Sequence, residues 1–187
     1  QHHDFRRCDN GNTIYLGWEL LSDDNAARVR GGKFGRTHPD GIWSDYIREV
    51  NPAGKTVWEW HMSENMDIEK FPNAPMSGRR EWAHANSIMP LPDGNVMVSW
   101  RHNNLIAVIN RKTGQFDFEW FDFELGFQHD FQILENGNYM VFINQSSGPP
   151  GGGSRVLEFD PQTKEGVWEY TGNPRYTFHS PFISGAQ

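Results

Sequence analysis

Three segments of the chain repeat one another. Residues 51–60 (NPAGKTVWEW), 110–120 (NRKTGQFDFEW) and 160–170 (DPQTKEGVWEY) each begin with a turn and end in a run that alternates large apolar with acidic residues. Alternation with a period of two is typical of a β-strand with one buried face. A recurring unit of this kind cannot bury its apolar face alone, so successive units must stack. The pattern therefore predicts an all-β repeat fold.

A second motif marks the first strand of each unit. His129 opens a short apolar strand, and the glycine of an Asn-Gly turn follows eight residues later; His3 has the same relation to Gly11. A variant begins at His84 and ends in an Asp-Gly turn. The turn glycines Gly94 and Gly137 are 43 residues apart, which lies in the range of about 40–45 residues for one β-propeller blade.

We therefore predict one β-propeller domain of four-stranded antiparallel blades covering residues 1–187. The blades lie at about 1–61, 82–121 and 127–171, and residues 176–187 begin a fourth. Two polar connections interrupt the pattern: residues 20–45, expected to be mostly loop, and residues 62–80, with a short helix considered over 63–70. Three blades cannot close a ring, so we expect missing blades in a larger propeller, or self-association.

Composition excludes several classes of protein. The formal net charge is −7 and no basic stripe is visible, which argues against a nucleic-acid partner. No apolar run approaches the roughly 20 residues of a membrane span. Cys8 is the only cysteine, so an internal disulfide is impossible.

The turns also predict which residues meet. If each Asx-Gly turn is a two-residue hairpin loop, Asn86 faces Arg101, His84 faces Asn103, His129 pairs with Asn144 and His3 pairs with Trp18. The start of each first strand then shares a rim with the end of each second strand. The residues expected at that rim are His3, His84, Asn86, Arg101, His129 and Asn144. His102 is adjacent, and the alternation of strand side chains leaves its direction open.

These side-chain types favour the transfer of an anionic group. A neutral imidazole is a competent nucleophile at neutral pH, which makes His129 the candidate. Guanidinium, amide and imidazolium groups stabilise negative charge as it develops on a transferring group. Asp4 and Asp130 follow their histidines directly and should point to the opposite face of the strand, so neither is expected to act as a base.

Several motifs resemble the arylsulfate sulfotransferase family. They are residues 82–87 (WAHANS), 98–103 (VSWRHN), 109–114 (INRKTG), the Gln128-His129 pair before the turn at 136–138, and the end of the chain at 178–187 (FHSPFISGAQ). The resemblance covers nearly the whole chain apart from the two polar connections.

The resemblance implies a six-bladed propeller that is periplasmic or extracellular. Such a protein moves a sulfuryl group from an aryl sulfate donor to a phenolic acceptor through a sulfohistidine, without a cofactor or a nucleotide. By motif, His129 matches the nucleophile, and His84, Asn86 and Arg101 match residues that hold the sulfuryl oxygens. His3 matches a further active-site histidine, although the adjacent His2 leaves this register open.

Two other classes of function remain. A non-catalytic propeller would bind a ligand or a protein at the same rim, with its histidines bonded to loop carbonyls. A histidine metal site is disfavoured because no local spacing of metal ligands is present. His38, His61, His102 and His179 are expected to be surface or packing residues.

Overall fold

The computed structural model describes residues 1–33, 38–145 and 152–186, and these residues form three four-stranded antiparallel sheets. The first sheet contains β1 (His2–Arg7), β2 (Thr13–Leu20), β3 (Trp43–Val50) and β4 (Thr56–His61). The second contains β5 (Ala85–Pro90), β6 (Val96–Trp100), β7 (Leu105–Ile109) and β8 (Phe116–Phe121). The third contains β9 (His129–Ile133), β10 (Tyr139–Ile143), β11 (Arg155–Phe159) and β12 (Gly166–Thr171). Each sheet follows chain order, as in a propeller blade, and the blades do not close into a ring.

The polar connections differ in detail from their predictions. A short helix, α1 (Asp23–Arg28), lies within residues 20–45, and Ser22 caps it by accepting a hydrogen bond from the Asn25 backbone N–H. The second connection contains α2 (Met62–Asn65), which is shorter than the helix considered over 63–70. The Gly- and Pro-rich tract at 146–154, whose composition is typical of a flexible loop, lies largely outside the described residues.

Large aromatic side chains fill the spaces between the blades. Trp60, Trp82 and Trp100 are buried in the core shared by the first two blades. Phe131 and Phe159 are buried between the second and third blades. Aromatic rings bury the largest area per side chain, so these two layers hold adjacent sheets face to face.

Hydrogen bonds from backbone N–H groups to side chains join the three innermost strands. The Asp4 carboxylate on β1 accepts a hydrogen bond from the Ile88 backbone N–H on β5 at 2.9 Å. At the matching position of β5, the Ser87 hydroxyl accepts one from the Phe131 N–H on β9 at 3.2 Å. The residue after each motif position therefore joins one blade to the next, away from the rim.

The end of the chain lies along the third blade. A single 3₁₀ turn (Arg175–Thr177) is the only regular element after β12 in the described residues. Asp130 accepts a hydrogen bond from the Ala186 N–H at 2.8 Å, the same kind of tie that joins the inner strands. The start of a fourth blade at residues 176–187 stays a prediction.

The hairpin registers predicted above were wrong. Each first hairpin has a three-residue loop, as at Leu91 and Asn95, which pair across residues 92–94. The loop ends at Gly94 with φ of +90°, a conformation that favours glycine. A β-bulge then shifts each first strand again. The observed partners are therefore Ala85–Trp100, His129–Phe142 and His2–Leu16, in place of the predicted Asn86–Arg101, His84–Asn103, His129–Asn144 and His3–Trp18.

Candidate active site

A cavity of about 570 Å³ opens at the rim where the three innermost strands begin. Five of the six residues predicted at the rim line it: His3, His84, Asn86, Arg101 and His129. Its other lining residues are Met76, Ser77, Gly78, His102, Phe182, Ile183 and Ser184. The sixth predicted residue, Asn144, lies behind His129 and contacts it.

Equivalent positions on the three inner strands point at this cavity. His3, Asn86 and His129 each lie eight residues before the glycine of their turn. His3 and Asn86 lie within the β-bulge of their strands, and His129, which pairs with Phe142, is the last paired residue beside the bulge of its strand. A bulge re-aims the side chain at the break. The β-bulges that made the register prediction wrong therefore also direct these side chains toward the cavity.

The hydrogen bonds of His129 determine its tautomer. Its Nδ1 lies 2.7 Å from Asn144 Oδ1 and 3.1 Å from the carbonyl oxygen of Phe127. Asn144 Nδ2 donates to the Ser180 carbonyl at 2.7 Å, which fixes the orientation of the amide. Because both neighbours of Nδ1 are acceptors, Nδ1 carries the hydrogen and the Nε2 lone pair remains free.

Electrostatics keep His129 neutral. Burial lowers the pKa of His129; the hydrogen bond to Asn144 opposes this shift, and positive charge on Arg101 and His84 adds to it. A lowered pKa leaves the neutral ring dominant at pH 7.

Glu81 orients His84. Glu81 Oε2 lies 2.6 Å from His84 Nδ1, so His84 presents Nε2 to the cavity. Burial acts to raise the pKa of Glu81, but the hydrogen bond and charge of His84 act more strongly, and the net pKa of Glu81 lies below its usual value. The carboxylate is therefore ionised at neutral pH and completes an ion pair when His84 is protonated.

Arg101 supplies a cation without an ion-pair partner. Its guanidinium lies 4.5 Å from the centre of the Phe127 ring. Within the three described ranges, it makes no hydrogen bond and no ion pair through its side chain. Burial lowers the pKa of Arg101, although an arginine remains charged at any physiological pH. All five N–H donors are thus available to an anion.

Asn86 has one free N–H. Its Nδ2 donates one hydrogen to the Gln128 carbonyl at 2.8 Å, which leaves the second hydrogen for a ligand. Gln128 is itself fixed, because its Nε2 lies 2.9 Å from the Leu105 carbonyl and 3.0 Å from Ser99 Oγ. The amide is therefore held rigidly at the cavity wall.

Two further histidines complete the wall. His102, which was expected to be a surface or packing residue, is buried at the cavity wall and stacks on His84 with ring centres 4.5 Å apart. Burial lowers the pKa of His102 well below its ordinary value. His3 lines the cavity, whereas His2 lies behind it and stacks on Trp18.

Sequence reasoning missed Glu81 and the apolar side of the cavity. Glu81 precedes His84 by three residues, a local spacing that could have pointed to it. Met76 comes from a polar connection and carries no signal in its own sequence. Phe182 lies in the motif at 178–187, but that motif did not assign it to the cavity.

The described part of the chain shows no group of three or more His, Cys, Asp or Glu side chains arranged to hold a metal ion. No helix in these residues is long and apolar enough to cross a membrane.

Among the solved structures, the match with a TM-score above 0.5 supports the fold alone. A protein of unknown function from Bacteroides caccae is 14% identical, with a TM-score of 0.53, over 91% of this chain and 46% of that one. Virginiamycin B lyase from Staphylococcus aureus is also 14% identical, with a TM-score of 0.43, over 88% of this chain and 48% of the lyase. The chain thus spans about half the length of these structures. Curated proteins gave no match.

The motifs noted in the sequence agree with a comparison against protein families. The profile of the arylsulfotransferase (ASST) family matches residues 1–122, which include the histidines of the first two blades and Arg101. Because this match covers more than half of its residues, the chain belongs to the arylsulfotransferase family.

Proposed function

We propose that this cavity transfers a sulfuryl group from an aryl sulfate to a phenol through a sulfohistidine at His129, without a nucleotide. The observation that carries the proposal is the fixed tautomer of His129. Its Nδ1 hydrogen is held by Asn144 and the Phe127 carbonyl, so Nε2 is a free nucleophile beside an unpaired guanidinium.

The donor half-reaction uses that lone pair. His129 Nε2 attacks the ester sulfur, the bond between sulfur and the aryl oxygen breaks, and the phenolate leaves with the bonding pair. Arg101, His84 and Asn86 line the same cavity. We assign to them the binding of the three remaining sulfuryl oxygens. Positioning and charge stabilisation supply most of the catalysis when an anionic group moves in this way.

The acceptor half-reaction reverses these steps. A second phenol gives up its proton as its oxygen attacks sulfur, the bond between sulfur and Nε2 breaks, and the electron pair returns to His129. Asn144 and the Phe127 carbonyl keep the ring oriented throughout, because both bind the nitrogen that takes no part in the transfer.

An apolar wall fits an aryl substrate. Met76, Phe182 and Ile183 line the cavity and are more than half exposed, at 55%, 66% and 86%. Burying these side chains against an aromatic ring would remove apolar surface from water at about 25 cal/mol per Å². The polar groups on the opposite side would then hold the sulfuryl end.

An assay with p-nitrophenyl sulfate tests the proposal. We expect steady release of nitrophenol only when a phenolic acceptor is present. His129→Gln should abolish release, whereas His61→Gln should not, because His61 is paired with Glu19 outside the cavity. Steady release without acceptor would instead identify a sulfatase. No release in either case would favour the non-catalytic binding module.

We further propose that the protein acts in the periplasm or outside the cell. The family resemblance supports this location. The release of a periplasmic fraction by osmotic shock, followed by detection of the protein, tests it, and retention in the cytosolic fraction would contradict it.

A further inference from the structure

A line of three side chains leads from the protein interior to the cavity through His3. His3 Nδ1 lies 2.7 Å from His2 Nδ1. On the other side of the His2 ring, Nε2 lies 3.2 Å from Asp45 Oδ1. His2 is held between them by stacking on Trp18, with ring centres 4.2 Å apart and planes at 12°. None of these contacts enters the sulfuryl transfer described above.

The carboxylate at the inner end of this line is buried. Asp45 on β3 is 1% exposed. Its Oδ2 accepts a hydrogen bond from the Ala85 N–H at 2.8 Å, and its Oδ1 faces His2. Burial raises the pKa of Asp45, and the contacts with His2 and Ala85 oppose that shift. An ionised carboxylate in this position requires a donor on each oxygen. The nitrogen within reach of Oδ1 is His2 Nε2, which lies at ion-pair distance but is not aligned as a hydrogen bond, and neither atom has another hydrogen-bond partner within the described residues.

The need for a donor at Asp45 Oδ1 determines the tautomers of His2 and His3. If His2 is neutral and carries its hydrogen on Nε2, its Nδ1 is an acceptor. A single hydrogen must then lie between the two Nδ1 atoms, and it belongs to His3. His3 is thereby left with a free lone pair on Nε2. That atom makes no hydrogen bond within the described residues, and the ring lines the cavity.

His3 is suited to receive a proton. Its withdrawal from water, together with positive charge on His84 and His2, lowers the pKa of His3 to about 4, so the ring is neutral before substrate binds. An anionic sulfuryl group in the cavity acts in the opposite direction and favours the protonated ring. The pKa of His3 therefore rises when the substrate group is present.

We propose that Asp45 and His2 are positioning residues that hold His3 as the base for the acceptor phenol. This inference rests on the proposed function. In the acceptor half-reaction, the phenolic proton passes to His3 Nε2, while the phenol oxygen forms the bond to sulfur and the electron pair of the breaking bond returns to His129 Nε2. His3 then releases the proton to water. While His3 is protonated, the buried Asp45 carboxylate stabilises its positive charge through His2.

Nitrogen NMR on protein labelled at its histidines tests, without any substrate, the tautomers predicted for the line of Asp45, His2 and His3. Near neutral pH, we expect the His3 resonances, identified by their loss in His3→Gln, to show the hydrogen on Nδ1. In Asp45→Asn, one amide oxygen cannot serve both Ala85 and His2. The amide NH₂ then faces His2, so we expect both tautomers to reverse and the His3 hydrogen to move to Nε2.

A matched control is Glu19→Gln, which removes a carboxylate beside His61 on the same blade and outside the cavity. It should leave the His3 tautomer unchanged. A His3 hydrogen on Nε2 in the unsubstituted protein, or the same His3 tautomer in folded Asp45→Asn, would overturn the proposal.

The two half-reactions provide the second readout. With His129 already sulfated, Asp45→Asn and His2→Gln should slow transfer to phenol by about 100-fold or more, the usual contribution of a general base. Transfer to a nitrophenol that is ionised at the assay pH should change by less than about 3-fold, since it has no proton to remove. Equal losses with both acceptors would overturn the base role of His3. An unsubstituted protein that forms no sulfohistidine would overturn the proposed function. The NMR result would still show whether Asp45 and His2 set the tautomer of His3.

Discussion

At the scale of single residues, reactivity depends on which nitrogen of each histidine holds a hydrogen. His129 Nδ1 is bound by two acceptors, and His84 Nδ1 by the Glu81 carboxylate. Each ring therefore presents Nε2 to the cavity. In the transfer that we propose, His129 acts as the nucleophile and His84, when protonated, acts as a donor. Their roles follow from the groups behind them rather than from the histidines themselves.

The pH dependence of the donor half-reaction follows from His129. The pKa of its ring is lowered by burial, and only the neutral ring has a nucleophilic lone pair. Activity should be present above that pKa and lost as the pH falls through it. A profile of kcat/KM with p-nitrophenyl sulfate should therefore show an acid limb whose midpoint lies below the ordinary histidine value of about 6.5. A midpoint above that value would contradict the assignment.

Asn144 should affect catalysis by orienting His129, and its Nδ2 also holds the terminal segment through the Ser180 carbonyl. Asn144→Ala removes one of the two acceptors of the Nδ1 hydrogen, and a hydrogen bond of this kind contributes about 1 kcal/mol. We expect the rate of His129 sulfation to fall by about 5- to 10-fold. Asn138→Ala is the control, because this amide binds Glu158 and does not line the cavity. Equal losses in both variants would point to a general effect on stability.

The repeated first-strand pattern singled out His129 and His84 as candidates, whereas Arg101 came from the predicted hairpin pairing and from the family resemblance. These sequence signals could not identify Asp45, which contacts His2 from a strand about forty residues away in the chain. They also left open whether His2 or His3 faces the rim, because the answer depends on the β-bulge of β1. Contacts between distant residues depend on packing, which has no local signature.

At the scale of strands and turns, the fold was predictable but its registers were not. All four strands of each blade follow from alternation and from Asx-Gly turns. The loop length does not, since Gly137 with φ of +87° closes a three-residue loop where the dipeptide alone favours two. The bulge of each first strand adds a further shift. Both features belong to backbone geometry that residue types specify only weakly.

A buried ion pair joins the first blade to the second. Glu49 on β3 is 1% exposed and pairs with Arg111 from the loop after β7. Arg111→Ala should lower the free energy of unfolding at pH 7 by about 2–4 kcal/mol, because it leaves a buried carboxylate unpaired. Urea unfolding measures this, and the same substitution in a Glu49→Gln background should cost less.

The pH dependence of that ion pair has a definite sign. Burial acts to raise the pKa of Glu49, but hydrogen bonds from Asn12 and Arg111 lower it further, and the net pKa is below its usual value. The ion pair therefore stabilises the fold at a pH above the pKa of Glu49 in the unfolded chain. This stabilisation is lost as the pH falls through the lower pKa that Glu49 has in the folded protein. A difference between Arg111→Ala and the unsubstituted protein that persists unchanged at pH 3 would contradict this account.

At the scale of the whole molecule, the three blades form an open arc with two free flanks. The outermost strand of the third blade exposes Val167, Trp168 and Tyr170 at 55%, 50% and 50%. On the first blade, Phe5 and Val57 are 56% and 47% exposed. Clustered apolar side chains of this kind mark surfaces that another sheet covers.

We therefore expect the isolated chain to self-associate. Sedimentation should give a mass that rises with concentration above the 21.6 kDa of one chain. Replacing Trp168 and Tyr170 together by serine should shift the equilibrium toward the monomer, because it removes apolar surface from one flank. Glu165→Ser, an exposed polar substitution beside the same strand, is the control. A chain that stays monomeric at all concentrations would contradict the expectation.

Mass spectrometry tests most directly whether His129 carries the sulfuryl group. The protein is incubated with an aryl sulfate alone, digested under mild alkaline conditions that preserve the N–S bond, and compared with a sample to which phenol was added. We expect one sulfuryl adduct on His129 that disappears when phenol is added. An active protein without that adduct, or with the adduct on another residue, would contradict it.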